Sequence, residues 1–176
     1  MTRIKGGTDN CYLVSNDRKA VLFDTSSGKS ISKAIEACSK YEMKALVLSH
    51  PHFDHAENAS VISERFNIPV AYHSADDEIF DHYDAQPLKS YGLVGFVVLK
   101  MSVKVLREIK VDRPKNHYYI KEGDTLADYG FPEIRVVELP GHLYYDLDVK
   151  KKTAKRIRSF GYRKIYYGYG KPTDKF

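Results

Sequence analysis

The sequence contains no tryptophan, one glutamine and only two cysteines in 176 residues. So few cysteines exclude a disulfide-rich secreted scaffold. Cys11 and Cys38 lie in apolar segments, so we expect buried thiols in a reducing cytoplasm, and no spacing pattern supports a disulfide between them. The scarcity of glutamine beside 14 tyrosines is typical of a thermophilic source.

Long apolar runs are also missing. No stretch approaches the ~20 apolar residues of a membrane-spanning helix, and the opening residues, MTRIKGG, lack the apolar core of a signal peptide. We therefore expect a soluble, cytoplasmic protein with no membrane partner. A chain of this length can bury its own core, which predicts a single domain over residues 1–176.

Positive charge is concentrated near the C-terminus. Residues 150–176 contain ten Lys and Arg residues and one acidic residue, Asp174, whereas residues 1–149 contain 18 basic and 22 acidic residues. We interpret this segment as a solvated, lysine-rich helix face. Contact with nucleic acid or an anionic substrate is the alternative, although no interleaved aromatic residues favour it.

The most informative stretch follows an apolar run and reads HPHFDH over residues 50–55. Imidazole and carboxylate groups are the ligands that Zn²⁺ accepts together. His50 and His52 are two positions apart on an extended segment, so they point to the same side. Asp54 and His55 follow the turn and can face the same point. This clustering predicts a metal site and makes surface histidines without a ligand the weaker interpretation.

Apolar periodicity predicts a sheet covered by helices. The predicted strands are residues 11–15 and 20–24, which form a hairpin, then 44–48, 68–72, 134–139 and 164–167. The predicted helices are residues 29–41, 56–66, 76–82 and 149–160, the last with Val149, Ile157 and Phe160 on its core side. The strongly apolar stretch within residues 84–115 predicts a pocket wall or lid, or else ordinary core or the surface of a homodimer.

The HxHxDH motif, after a strand and before a helix, resembles the metallo-β-lactamase superfamily. Weaker matches occur on both sides of this motif, in the family's order: VLFDT at 21–25, GDTL at 123–126, PGH at 140–142 and GYGKP at 168–172. The resemblance implies an α/β fold, a four-layer αββα sandwich with the metal site at one edge of its two sheets.

The resemblance also implies a ligand set and a reaction. Residues that match His50, His52 and His142 hold one metal ion, and those that match Asp54 and His55 hold a second. Zinc, as one or two ions, is the expected metal, with iron or manganese as alternatives. A metal-bound hydroxide would attack a carbonyl or phosphoryl centre, and Asp54 would also orient or deprotonate the water.

Two departures from the family pattern concern the second ion. Tyr169 stands where a closing histidine is expected, and neutral tyrosine is a poor zinc ligand. The Asp that bridges both ions should precede that position on its own strand, yet residues 143–148 lead almost directly into the final helix, so a hairpin of the second sheet is missing. Asp146 or Asp148 could replace this ligand, although each is better interpreted as a helix N-cap.

Three interpretations of the missing hairpin stay open. The chain could be a shortened relative that a partner subunit completes, a degenerate member, or a sequence that lacks a stretch somewhere in 142–146. We favour the first and the last. A gap between Cα atoms in that range would support the last.

Three functions are therefore predicted. The leading one is a metal-dependent hydrolase of a small ester-, thioester-, lactone- or phosphoester-like substrate, since nuclease branches of the family usually carry an extra domain. The alternatives are a non-catalytic metal-binding module with a basic contact helix and a mononuclear iron dioxygenase. Among the isolated histidines His73, His82 and His117, only His73 is a candidate for contact with the metal ligands.

Overall fold

A computed structural model describes residues 1–6, 9–82, 110–139 and 147–161. Several predicted features lie outside these ranges: most of the apolar insertion, the strand at 164–167, and the residues His142, Asp146 and Tyr169. The proposed gap within 142–146 also lies outside them. All of these stay predictions.

Six strands form one mixed sheet in which the spatial order follows the chain order. The strands are β1 (Thr2–Lys5), β2 (Asn10–Asn16), β3 (Lys19–Phe23), β4 (Glu42–Val47), β5 (Val70–His73) and β6 (His117–Ile120). The pairs β1–β2 and β2–β3 are antiparallel, and β3 to β6 run parallel. The carboxyl ends of four neighbouring strands therefore meet at one edge of the sheet.

Helices make the crossovers that parallel strands require. These are α1 (Ile31–Cys38) before β4, α2 (Phe53–Ala56) and α3 (Ala59–Phe66) before β5, and α4 (Glu78–Asp81) after β5. The helix predicted at 56–66 corresponds to α3, which begins at Ala59, three residues later than predicted, while Ala56 is the last residue of α2. The reason is Asn58, whose backbone N–H donates to Thr25 Oγ1 (3.3 Å). No helix in the described part of the chain is long and apolar enough to cross a membrane.

A second, two-stranded sheet consists of β7 (Thr125–Leu126) and β8 (Phe131–Arg135). The strand predicted at 134–139 is therefore wrong in position, since β8 begins earlier and ends at Arg135. Beyond that residue, Val136 pairs with the turn instead: its N–H donates to Asp124 O (2.8 Å), and its carbonyl accepts from Gly123 N (3.1 Å). The apolar alternation continues past Arg135, but the partner strand does not.

Both faces of the main sheet are buried. Alternate residues of β3 and β4, such as Leu22 and Leu46, pack beneath the helices with Ile62 of α3. Their neighbours, including Val21, pack against Phe131 of the second sheet. This follows from the two-residue period of strand side chains. Helices, large sheet and small sheet stack in this order, which confirms the predicted metallo-β-lactamase-like sandwich.

The last described helix, α5 (Leu147–Ser159), corrects two expectations. Asp148 lies inside its first turn, so it is not the N-cap. Phe160, expected in the core, is 46% exposed, and the Arg156 guanidinium lies over its ring at 5.9 Å. A helix this basic cannot bury much of its surface, because its cations need water.

Leu46 tests the assignment of the core. It is fully buried near the carboxyl end of β4, so Leu46→Ala should lower the free energy of unfolding by about 2–5 kcal/mol through lost burial and a cavity. Urea denaturation measures this. The control is Val61→Ala on α3, which is 50% exposed and should change stability by less than about 0.5 kcal/mol. Equal losses in the two variants would contradict the assignment.

Cys11 and Cys38 are free and buried, as expected. Burial raises the pKa of both thiols to about 12, and for Cys11 the charge of Asp24 adds to this effect. At pH 8 such a pKa leaves roughly one thiolate in ten thousand. We therefore expect neither thiol to react with a disulfide reagent in the folded protein and both to react in urea. Rapid modification of the native protein would show that the thiols are accessible.

Candidate metal centre

The candidate site lies at the edge where the parallel strands end. Asp24 follows β3 directly, residues 49 and 50 follow β4 within three positions, and His73 ends β5. Ligands of open α/β sheets bind outside the carboxyl ends of strands. The strand order therefore brings these side chains to one place.

The backbone after β3 has an unusual shape. Asp24 (φ 57°) and Ser26 (φ 63°) are both left-handed, a conformation that residues with a Cβ atom adopt only when their surroundings hold it. Thr25 lies between them, fully buried. Its N–H and its hydroxyl both donate to the carbonyl oxygen of His55, at 2.7 and 2.8 Å. The turn after β3 thus holds the backbone of α2.

The carboxylate of Asp24 accepts three hydrogen bonds. Oδ1 accepts from Ser49 N (2.8 Å), and Oδ2 accepts from Ser49 Oγ (3.0 Å) and from His55 Nδ1 (2.8 Å). A carboxylate can only accept, so His55 must carry a proton on Nδ1. In the neutral ring, Nε2 is then the nitrogen with the lone pair.

Ser49 extends this orientation to the next imidazole. Its hydroxyl proton is committed to Asp24, so Ser49 Oγ accepts from His50 Nδ1, 3.0 Å away. The hydrogen-bond network therefore assigns the Nδ1–H tautomer to both His50 and His55. This arrangement, with a carboxylate or hydroxyl on one nitrogen and the lone pair on the other, is the one that metal-ligating histidines adopt.

The remaining residues of the motif lie close to these two rings. The His50 ring centroid is 4.6 Å from that of His52 and 4.2 Å from that of His55. Asp54 Oδ2 lies 3.8 Å from His55 Nε2. His52 is extended and precedes α2, which places Asp54 in the first helical turn. The structure thus brings together four of the five predicted ligands, and the fifth, His142, lies outside the described residues.

The electrostatics of the site favour a cation. Burial, the largest single effect, lowers the pKa of His55, but the hydrogen bond to Asp24 and the charges of Asp24, Asp54 and Asp9 together raise it above its usual value. Carboxylates that stabilise an imidazolium here would also stabilise a bound divalent ion, because both place positive charge at the same point.

The donor set fits zinc in chemistry, since it combines oriented imidazoles with a carboxylate. Across residues 1–6, 9–82, 110–139 and 147–161, no group of three or more His, Cys, Asp or Glu side chains is placed to hold a metal ion. A complete set therefore needs a further donor. His142 is the candidate that the sequence names, and its role stays a prediction.

His73 belongs to a different network. Its Nδ1 accepts from Ala75 N (3.1 Å), and its Nε2 bonds Glu138 Oε1 at 3.0 Å. Glu138 and Glu122 also exchange bonds between side chains and backbone N–H groups, at 3.1 and 2.7 Å. His73 thus ties the end of β5 to the chain that follows β8, rather than bonding the imidazole cluster.

Sequence reasoning missed the residues that orient the ligands. In the sequence, Asp24 stands out only as part of a family match, and no pattern indicates a role for Ser49 or Thr25. The signal for Ser49 was its place directly before the motif, and for Thr25 it was the run of hydroxyl residues after β3. Neither signal predicts which residue the side chain bonds.

Comparisons with known proteins agree on one family. A model described as the metallo-beta-lactamase superfamily matches residues 4–147. An uncharacterised protein from Aquifex aeolicus (strain VF5) is 23% identical over 133 residues, which covers 76% of this chain and 55% of that protein. PksB of Bacillus subtilis (strain 168), named a probable polyketide biosynthesis zinc-dependent hydrolase, is 33% identical over 73 residues, 39% of this chain and 32% of PksB.

A solved structure shows the same fold. The crystal structure of TTHA1623 in a di-iron-bound form superposes with a TM-score of 0.64 at 20% identity, covering 94% of this chain and 89% of that one. The two sequence relatives are longer, since the chain spans about half of the Aquifex protein and a third of PksB.

Asp24→Asn tests whether the carboxylate orients the ligands. The amide keeps the shape of the side chain but replaces one acceptor oxygen with a donor, so zinc affinity should fall by about 10–100-fold. Competition with a chromophoric chelator measures it. Asp17→Asn is the matched control, because Asp17 is also left-handed (φ 51°) but lies exposed in the β2–β3 turn. Equal affinities in the two variants would rule out this role for Asp24.

Proposed function

Because the chain belongs to the metallo-beta-lactamase superfamily, we propose that it is a zinc-dependent hydrolase of a small ester-, thioester-, lactone- or phosphoester-like substrate. The observation that carries the proposal is the pair of oriented imidazoles, His50 and His55, held through Ser49 and Asp24. Orientation of this kind has no purpose in a surface loop but is what a metal ligand requires.

The proposed roles of the individual residues are those that the family resemblance implies. His50, His52 and His142 would hold one ion, and Asp54 and His55 a second. When bound, zinc would lower the pKa of a water molecule and stabilise the negative charge that develops on the substrate. Thr25 bonds the backbone of α2 and Asp24 bonds the His55 side chain, so the backbone that carries these ligands is held independently of a metal.

Asp54 is the residue proposed to act on the water. Its side chain is partly accessible, at 16% exposure, and lies 3.8 Å from His55 Nε2. A carboxylate in this position can accept a hydrogen bond from the attacking water, orient it and take its proton. Asp54 supplies the single carboxylate of the HPHFDH motif, whereas the Nδ1 atoms of His50 and His55 are engaged by Ser49 and Asp24.

The comparisons support zinc and a hydrolase without naming a substrate. PksB is named as a zinc-dependent hydrolase, and its matching segment is the more similar of the two curated relatives. The di-iron form of TTHA1623 makes iron the alternative ion, so the experiment must distinguish the two metals.

The test combines metal content with hydrolysis. Protein purified without chelators and reconstituted with zinc is analysed for metal per chain, then assayed with p-nitrophenyl acetate, a thioester, a lactone and bis-p-nitrophenyl phosphate. We expect bound zinc and zinc-dependent turnover of at least one substrate. Asp54→Asn should lower kcat by about 10²–10⁴-fold through the loss of a general base.

The control is Asp112→Asn, an exposed carboxylate outside the site, which should leave kcat unchanged. At most one metal ion per chain and no hydrolysis would favour the non-catalytic module. Bound iron with substrate-dependent oxygen uptake would favour the dioxygenase. Equal kcat values for the two variants would remove Asp54 from the mechanism.

A further inference from the structure

Asp9 is a buried carboxylate outside the predicted ligand set. It lies directly before β2 and is 1% exposed. Its Oδ2 accepts from the Ser26 hydroxyl and from Ser27 N (3.2 Å). Removing a carboxylate from water is costly unless donors replace the lost solvent, so these two bonds determine where Asp9 can lie.

The groups that Asp9 holds belong to the turn after β3. Ser26 is fully buried and left-handed, and its carbonyl also accepts from Asn58 Nδ2 (2.9 Å). Its hydroxyl lies so close to the backbone of residue 6 that a Cβ atom on Gly6 would overlap it. The side chain of Ser26 therefore has one position available, and that position faces Asp9.

The same turn orients the candidate ligands. Asp24, two residues before Ser26, bonds Nδ1 of His55, and Thr25 bonds its carbonyl oxygen. Left-handed residues relax to other conformations when their supports are removed. A change at Ser26 would thus move Asp24 and Thr25, the two residues that precede it in the chain.

We propose that Asp9 is a positioning residue of the metal centre: by holding Ser26 and Ser27, it keeps the turn after β3 in the shape that orients His55. The expected effect of Asp9 on zinc affinity rests on the proposed function. Its structural part concerns His55 and can be tested without any metal.

The first measurement is the tautomer of His55 in the metal-free protein. Long-range proton–nitrogen NMR of histidine-labelled protein distinguishes a ring protonated at Nδ1 from one protonated at Nε2, and His55→Gln assigns the signal. In the unchanged protein we expect the Nδ1–H form. Asp9→Ala should reduce or abolish this preference, whereas Asp9→Asn should retain it, because an amide oxygen can still accept from Ser26 and Ser27.

The second measurement is zinc affinity by chelator competition. Asp9→Ala should weaken binding on the order of tenfold, as expected for a residue that supports a ligand indirectly. Ser26→Ala, which removes only the hydroxyl, should weaken it by roughly threefold to tenfold and serves where Asp9→Ala does not fold. In a His55→Gln background, Asp9→Ala should cause no further loss, because the ligand it supports is already gone.

Two controls separate positioning from general stability. Asp112→Ala removes an exposed aspartate and should change neither measurement. Met43→Ala destabilises the core at the amino end of β4, the opposite end of that strand from the motif, so it should lower the resistance to urea but leave the His55 tautomer unchanged.

Three results would overturn the proposal. One is an unchanged His55 tautomer in both Asp9→Ala and Ser26→Ala. Another is an equal loss of the tautomer in Met43→Ala. The third is a full additional loss of zinc affinity from Asp9→Ala in the His55→Gln background. If the unchanged protein binds no zinc, the proposed function fails, and the NMR result alone still decides whether Asp9 positions His55.

Discussion

The carboxylate of Asp24 is the group on which the candidate site depends. It is 6% exposed at the end of β3, and its donors are Ser49 N, Ser49 Oγ and His55 Nδ1. A buried carboxylate that loses its donors pays the full desolvation penalty, so this geometry is strongly enforced. Because the donors flank the HPHFDH motif on both sides, satisfying one carboxylate also determines the conformation of the motif.

The sheet explains why this carboxylate meets those donors. Parallel pairing of β3 with β4 places Phe23 opposite Val47, so the residues that follow each strand emerge side by side. The crossover helix α1 returns the chain to the opposite edge, where β4 begins parallel to β3, and its buried residues Ala34 and Cys38 attach it to the sheet. The apolar core on both faces therefore places the polar site without contributing a polar atom to it.

Charge is separated in the same way. Asp9, Asp24 and Asp54 act on one buried imidazole, whereas the basic residues of α5 face solvent beside the second sheet. Arg156 of that helix bonds Glu122 at 2.6 Å and the carbonyl of Glu138 at 3.2 Å. These bonds attach the helix to the chain on either side of the second sheet. A negative site suits a cation and a basic surface remains hydrated, since each environment lowers the cost of the charge it holds.

The sequence by itself determined the donor chemistry of the HPHFDH motif and the alternation of the strands, because both depend on residues only a few positions apart. The bounds of β8 and the start of α3 do not follow from it, because they depend on Val136 and Asn58, which bond to turns elsewhere in the chain. The tertiary structure alone decided how the ligands are oriented. Asp24 is 25 residues from Ser49 and 31 from His55, and Asp9 is 17 from Ser26. No local pattern encodes such partners, since their contact exists only once the sheet has brought the strand ends together.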